Sequence, residues 1–166
     1  NNRIEILGGG FIENVRRGRK RKMNEHCEVP DYNPPGEEIG ELIKNGRTIA
    51  VVGLSDRPDR DSYRVAAYMQ ARGYRIIPVN PHKQEILGEK CHPDLTTISE
   101  DVDIVDIFRS VEAIPSIVEE AIKIKAKAVW MQRGLAHHEA AAKARAAGLA
   151  VVQSRCLMVE HKRLPC

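Results

Sequence analysis

The sequence predicts an α/β fold: a doubly wound parallel β-sheet of about five strands with helices on both faces. Three observations carry this. Short apolar runs such as IAVV and LAVV alternate with stretches of helical periodicity. The runs are apolar throughout, as strands buried on both faces are. Each run ends in a loop of small or charged residues, and the strand-to-helix junction is where open α/β sheets take their ligands.

The elements follow in order. Ile39, Leu42 and Ile43 share one helical face, so residues 37–45 read as a short helix stopped at Asn45-Gly46. A strand is expected at 48–53, a helix at 62–72 stopped by Gly73, and a strand at 75–79 cut by Asn80-Pro81. Residues 82–100 read as irregular, with a brief strand or turn near Leu87 and a short helix near 96–100. A strand at 103–108 leads to a helix at 112–125, with Pro115 in its first turn, where proline is tolerated. A strand at 127–131, a helix at 136–147 stopped by Gly148, and a strand at 149–153 complete the pattern. The tail, 154–166, shows little periodicity.

Residues 1–35 differ from the rest. Gly8–Gly10, the basic run RRGRKRK at 16–22, and Pro30, Pro34 and Pro35 frame a segment expected to be a flexible basic arm, with 36–166 as the folded domain. Met23 is expected as a natural start, with 1–22 as an added leader or upstream translation. The net charge of +3 resides in that run, since six of its seven residues are basic. The remainder is slightly acidic and is no nucleic-acid surface by composition. Nucleic-acid binding through the arm is therefore an alternative function, weighed against a solvated tail. At 166 residues and 42% hydrophobic, the chain is about one domain with enough apolar material for a core. No run approaches a membrane span and the N-terminus lacks a secretory apolar region, so a cytoplasmic setting is expected. The cysteines at 27, 91, 156 and 166 match no zinc template, and free thiols in a reducing compartment are the expectation.

The strand ends carry the candidate site. After the first strand, Gly53 permits a tight exit and close approach by a ligand. Ser55 offers a hydroxyl and an amide. Ser62 reads as the N-cap of the following helix, whose free N–H groups and dipole favour an anion. Arg57 and Arg60 add forked donors suited to phosphate oxygens. A plain strand-to-helix loop with solvated charges is the alternative. A dinucleotide fingerprint needs three glycines, and this loop has one. After the second strand, NAD-binding folds place an acid for the ribose. Here the chain reads Val79-Asn80-Pro81-His82-Lys83, so a lysine stands ready for a ribose phosphate and Pro81 offers a flat face for a base. Coenzyme A and NADP both fit, and an NADP-dependent oxidoreductase is a second alternative function. At the third strand end, Phe108 could flank adenine and Arg109 reach phosphate, against a reading of both as core and surface cap. At the fourth, Gln132 could bond a ligand and Gly134 allow its approach, while Trp130 reads as core.

VVGLSDRPDRDSY, IIPVNPHKQEILGEKCHP, VDIVDIF, VWMQRG and SRCLMVEH together resemble the stand-alone CoA-binding proteins, whose Rossmann-like fold is similar to the N-terminal domain of the succinyl-CoA synthetase α subunit. The resemblance spans about 37–164. It implies CoA or an acyl-CoA laid across the carboxyl ends of the strands. Gly53, Ser55, Arg60 and Ser62 would surround the diphosphate, with Asn80, Pro81 and Lys83 at the adenosine end. Phe108, Arg109, Met131, Gln132 and Gly134 would line the remaining wall. The synthetase subunit also has a second domain with a histidine that becomes phosphorylated, and nothing here matches it, so a ligand-binding module without catalysis of its own is expected.

For covalent chemistry the one candidate is Cys156, with Arg155 and His161 near it in sequence to lower its pKa and a mixed disulfide with CoA as a consequence; a buried apolar role is the alternative. His137-His138-Glu139 lacks the spacing that puts two imidazoles on one helix face, and no metal site is expected.

Overall fold

A computed structural model describes residues 28–166. The basic run at 16–22 lies outside the described residues, as does the start proposed at Met23.

Five strands form one parallel sheet in the order β2-β1-β5-β6-β7, with β1 at Thr48–Val52, β2 at Arg75–Val79, β5 at Ile104–Ile107, β6 at Ala128–Met131 and β7 at Ala150–Val152. β3 (Glu85–Ile86) and β4 (Glu89–Lys90) make a separate antiparallel hairpin. Helices α1 (Gly36–Asn45), α2 (Asp61–Ala71) and α5 (Leu157–Lys162) cover one face, where Ile43, Val65, Met69 and Leu157 pack with Ile49, Ile104 and Trp130. Helices α3 (Ile114–Lys123) and α4 (His138–Ala146) cover the other, where Val118 and Ala141 pack with Ala50, Val105 and Val129. Alternate residues of each strand feed opposite cores, which explains why the strands read as unbroken apolar runs.

The order of strands sets the site. β1 is followed by β2 on one side, and β5, on the other side of β1, is followed by β6 away from it. The crevice above the β1–β5 pair is the topological switch point, where ligands bind in such sheets.

The expected elements are present, with bounds that match to within about two residues, and two stretches differ. Residues 82–100 hold the β3–β4 hairpin and a 3-10 turn at Leu95–Thr97. The hairpin turns on Leu87 and Gly88, both with positive φ (56° and 73°), the geometry of a tight two-residue connection. The tail forms α5, six residues without periodicity to announce it. Tertiary packing makes that helix: Leu157 is fully buried, and the Trp130 indole N–H donates to the Arg155 carbonyl at 2.8 Å.

Residues 31–33 run along the outer edge of β7. The Asn33 side-chain amide donates to the Gln153 carbonyl (2.9 Å) and accepts from the Gln153 N–H (2.6 Å), as a neighbouring strand's backbone would. Asp31 pairs with Arg145 and bonds Gln153.

Candidate functional site

At the end of β1 the chain turns at Gly53, with φ +82°. A Cβ there would lie 2.5 Å from the Phe108 carbonyl oxygen and 2.9 Å from Arg109 Cδ. The glycine is therefore demanded by the close passage of the β1 and β5 exits at the switch point. The approach it permits is that of Phe108 and Arg109; a ligand's approach is a separate matter.

The loop after Gly53 is held by its own serines. The Ser62 hydroxyl accepts from the Ser55 N–H at 3.0 Å, and the Ser55 hydroxyl oxygen accepts from the Arg57 N–H at 3.1 Å. Two expectations are corrected here. The Ser55 amide is taken by Ser62 and is not presented to a ligand. Ser62 is not the N-cap: Arg60 is, in extended backbone, and Ser62 lies buried in the first turn of α2, where its hydroxyl is spent on the loop. The first-turn amides of α2 still lack intrahelical partners and point outward. The Arg57 guanidinium forms a forked pair with Asp59 at 3.1 and 2.9 Å. Arg60 and Arg109 have no side-chain partner among the described residues and are exposed.

At the end of β2, Asn80 ties the two loops together. Its amide nitrogen donates to the Leu54 carbonyl (2.9 Å) and its oxygen accepts from the His82 N–H (2.8 Å). Lys83 pairs with Asp56 at 2.7 Å, and that bond holds the Asp56 carboxyl below its usual range.

Three cavities follow the C-terminal edge of the sheet. One of about 420 Å³ lies between the β1 and β2 exits and the start of α3, against Asn80, Pro81, Lys83, Arg109 and Ile117. An open one of about 610 Å³ covers the loop at Gly53, Ser55, Arg57 and Arg60. A third, of about 410 Å³, lies between α2 and α5 against Val65, Phe108, Gln132, Cys156 and Met158. The first two share Gly53 and Ser55, and the last two share Asp61, Arg64 and Phe108.

Several wall residues fall elsewhere than expected. Phe108 stands over the second and third cavities and is absent from the one bounded by Pro81 and Lys83, because it points to the α2–α5 face of the sheet. Met131 is fully buried in the α3–α4 core and lines none of these three cavities. Gln132 is buried, and its amide donates to Asp106 Oδ1 at 2.6 Å. Gly134 turns with φ +85° and donates its N–H to Ser154 Oγ at 3.1 Å, outside all three cavities. The sequence reading missed Pro93, Ala113, Ser116 and Ile117 in the first cavity and Met158 and Val159 in the third. Apolar periodicity in 112–125 marked the core face of α3, but nothing in it marks which end of that face remains open.

Asp106 sits fully buried in β5 beneath Gln132. Burial pushes its carboxyl up to about 7, against the opposing effect of the Gln132 bond. Cys156 is half-buried on the wall of the third cavity. His161 is turned to other work: its Nδ1 lies 3.0 Å from the Tyr68 hydroxyl, its ring packs edge-on against Tyr68 and Tyr74, and burial lowers its pKa. Arg155 pairs with Glu160. Among the described residues no group of three or more His, Cys, Asp or Glu stands together as a metal site would need, and no helix is long and apolar enough to cross a membrane.

Known proteins share this sequence and fold. A Bacillus subtilis protein, the uncharacterized protein YneT, is 43% identical over 129 residues, covering 78% of this chain and 96% of its own. A solved structure of a hypothetical protein from Pyrococcus horikoshii is 40% identical with a TM-score of 0.78, over 82% of this chain and 96% of that one. An ADP-forming acetate–CoA ligase of Methanocaldococcus jannaschii is 26% identical over 81 residues, 49% of this chain but 12% of the ligase. The family model for the CoA binding domain matches residues 47–162, which take in all seven strands and both exits at the switch point, and the chain belongs to that family.

Proposed function

We propose that this chain binds coenzyme A, or an acyl-CoA, along the C-terminal edge of its sheet, as a binding module rather than a catalyst. The observation that carries the reading is the run of three adjoining cavities across the β1–β5 switch point, changing from mixed to polar to apolar along its length. The cavity at Pro81, Ile117 and Lys83 suits the adenine and its phosphorylated ribose. Lys83 supplies the cation for the 3′-phosphate once it leaves Asp56. The open cavity suits the diphosphate, with the α2 amides, the Ser55 hydroxyl, Arg57, Arg60 and Arg109 as donors. The apolar cavity beside Phe108 suits the thiol-bearing arm. Membership of the CoA binding domain family and similarity to part of an acetate–CoA ligase support the choice of ligand. The half-buried Cys156 and buried Cys91 fit a reducing, cytoplasmic setting.

Lys83 alone does not separate the 3′-phosphate of CoA from the 2′-phosphate of NADP. The lone glycine at the first turn favours CoA, since two further glycines let a dinucleotide's diphosphate approach the backbone. Calorimetry with CoA, dephospho-CoA, NADP and NAD decides. CoA is expected to bind most tightly, and Lys83→Ala to weaken CoA by about tenfold while leaving dephospho-CoA nearly unchanged. Uptake of NADP with no response to millimolar CoA would overturn the reading.

A further inference from the structure

The apolar cavity between α2 and α5 adjoins another of about 310 Å³, and the two share Arg133, Cys156 and Val159 as lining. The second differs in charge. Arg155 and Arg163 join Arg133 on its wall, and among its described lining residues Glu160 is the one carboxylate. Glu160 is nearly buried, its side chain 11% exposed, and it accepts from Arg155 Nη1 at 3.3 Å and from Arg163 Nη1 at 2.8 Å. Arg133 is exposed and has no ion pair or side-chain hydrogen bond among the described residues. Two of these guanidiniums thus share the Glu160 carboxylate, and the third, Arg133, stands on the wall common to both cavities.

We infer that this cavity receives a carboxylate borne at the far end of an acyl group, so that the preferred ligands are CoA thioesters of dicarboxylic acids. The inference rests on the CoA reading above and adds the class of acyl group. With the diphosphate over the Gly53 loop and the thiol arm against Phe108 and Cys156, the next space along the groove is the one lined by arginines. A guanidinium fork matches a carboxylate with two parallel N–H···O bonds, whereas a methyl-ended acyl group in the same place would desolvate Arg133 with nothing in return. Tethering through the thioester raises the effective concentration of the carboxylate at the arginines, which separates this ligand from a free dicarboxylate or inorganic phosphate.

The test titrates the full chain with matched thioesters: malonyl-CoA against propionyl-CoA, and glutaryl-CoA against valeryl-CoA. At one or both lengths the carboxylated member is expected to bind on the order of tenfold more tightly. Arg133→Gln should erase that advantage, making the two members of each matched pair bind equally whatever its effect on CoA itself, and Glu160→Gln, which frees Arg155 and Arg163, should enlarge it. Equal affinities at both lengths, with CoA still binding, would overturn this inference alone. Failure of CoA itself to bind would overturn the reading beneath it. Malonate, glutarate or phosphate binding to the CoA-saturated protein below millimolar concentration would also overturn it, by making the cavity a site for free anions. Unfolding midpoints of both variants accompany the titrations, and a preference lost only through a fall in the midpoint of Arg133→Gln counts against the inference unless Arg155→Gln loses it with the fold intact.

Discussion

The two rims of the sheet treat charge differently, and two aspartates, one just ahead of β5 and one within it, show how. Asp103, just before the strand, stands at the rim where the strands begin. It accepts from the backbone N–H of Arg47 (2.7 Å) and Thr48 (3.0 Å) and pairs with Lys127 at 2.8 Å. Burial raises its pKa, but these three donors together outweigh burial and hold it low. Arg75 on the same rim pairs with both Glu89 and Glu100, at 2.9 Å for the latter, and its pKa is raised. Three residues further along, Asp106 has a single donor, Gln132, and its Oδ2 has no hydrogen-bond partner. Beyond it, at the rim where the strands end, Arg60, Arg109 and Arg133 stand without ion-pair partners among the described residues. Charges at the first rim are consumed in holding strands together. At the second, Arg57 and Lys83 are paired within their own loops, while Arg60, Arg109 and Arg133 are left for something else to satisfy.

This contrast can be broken by substitution. The largest effect is expected at Asp103→Ala, which strips two backbone N–H groups and Lys127 of their acceptor and should cost about 3 kcal/mol of stability by chemical denaturation without altering affinity for CoA per folded molecule. Asp106 gives the opposite pH signature. Its folded pKa of about 7 lies above the ordinary 3.8, so its protonated form is favoured in the fold. That contribution is complete below about pH 4 and is lost as pH rises to about 7. Asp106→Asn should flatten the fall in stability between those limits, and an unchanged profile would show that the carboxyl is not held protonated. Next, Arg60→Ala and Arg109→Ala should each lower affinity for CoA by about tenfold while leaving the unfolding midpoint unchanged, the reverse of the Asp103 result. The smallest change is expected at Asp56→Asn. With its partner gone, Lys83 no longer has to break a pair, and affinity for CoA should rise a few-fold. A loss of affinity there would mean that Asp56 positions Lys83 rather than competing with the ligand.

Much of the site was legible because strand ends are legible. Gly53, Asn80, Lys83 and Arg109 were identifiable as residues leaving apolar runs, and the parallel sheet brings such exits to one rim. Their individual roles were less legible. Ser62 looks like a helix cap in sequence, yet its hydroxyl reaches back seven residues to the Ser55 amide, a contact no local pattern specifies. Asn80 reads as a ligand group in sequence, and in the fold it also braces two loops at the edge of the first cavity. The family resemblance places Met131 on the wall, but in β6 its side chain points into the α3–α4 core. Neighbouring positions on a strand face opposite layers, and which layer each one faces depends on register with the adjacent strand.

The linear pattern of this protein was sufficient for its class: apolar runs of strand length separated by helical periodicity bury both faces of a parallel sheet, and five such strands are too few for the eight of a closed α/β barrel. Which loops meet was decided in three dimensions. The order β2-β1-β5-β6-β7 brings the exit of β1 against that of β5, residues more than fifty apart, and makes Gly53 obligatory through the Phe108 carbonyl. The same packing folds the unpatterned tail into α5, pairs Arg155 and Arg163 with Glu160, and puts Arg133 on the wall of the same cavity. Composition and periodicity report how much surface a segment must bury, whereas the partners it finds there depend on contacts between distant segments that only the assembled sheet creates.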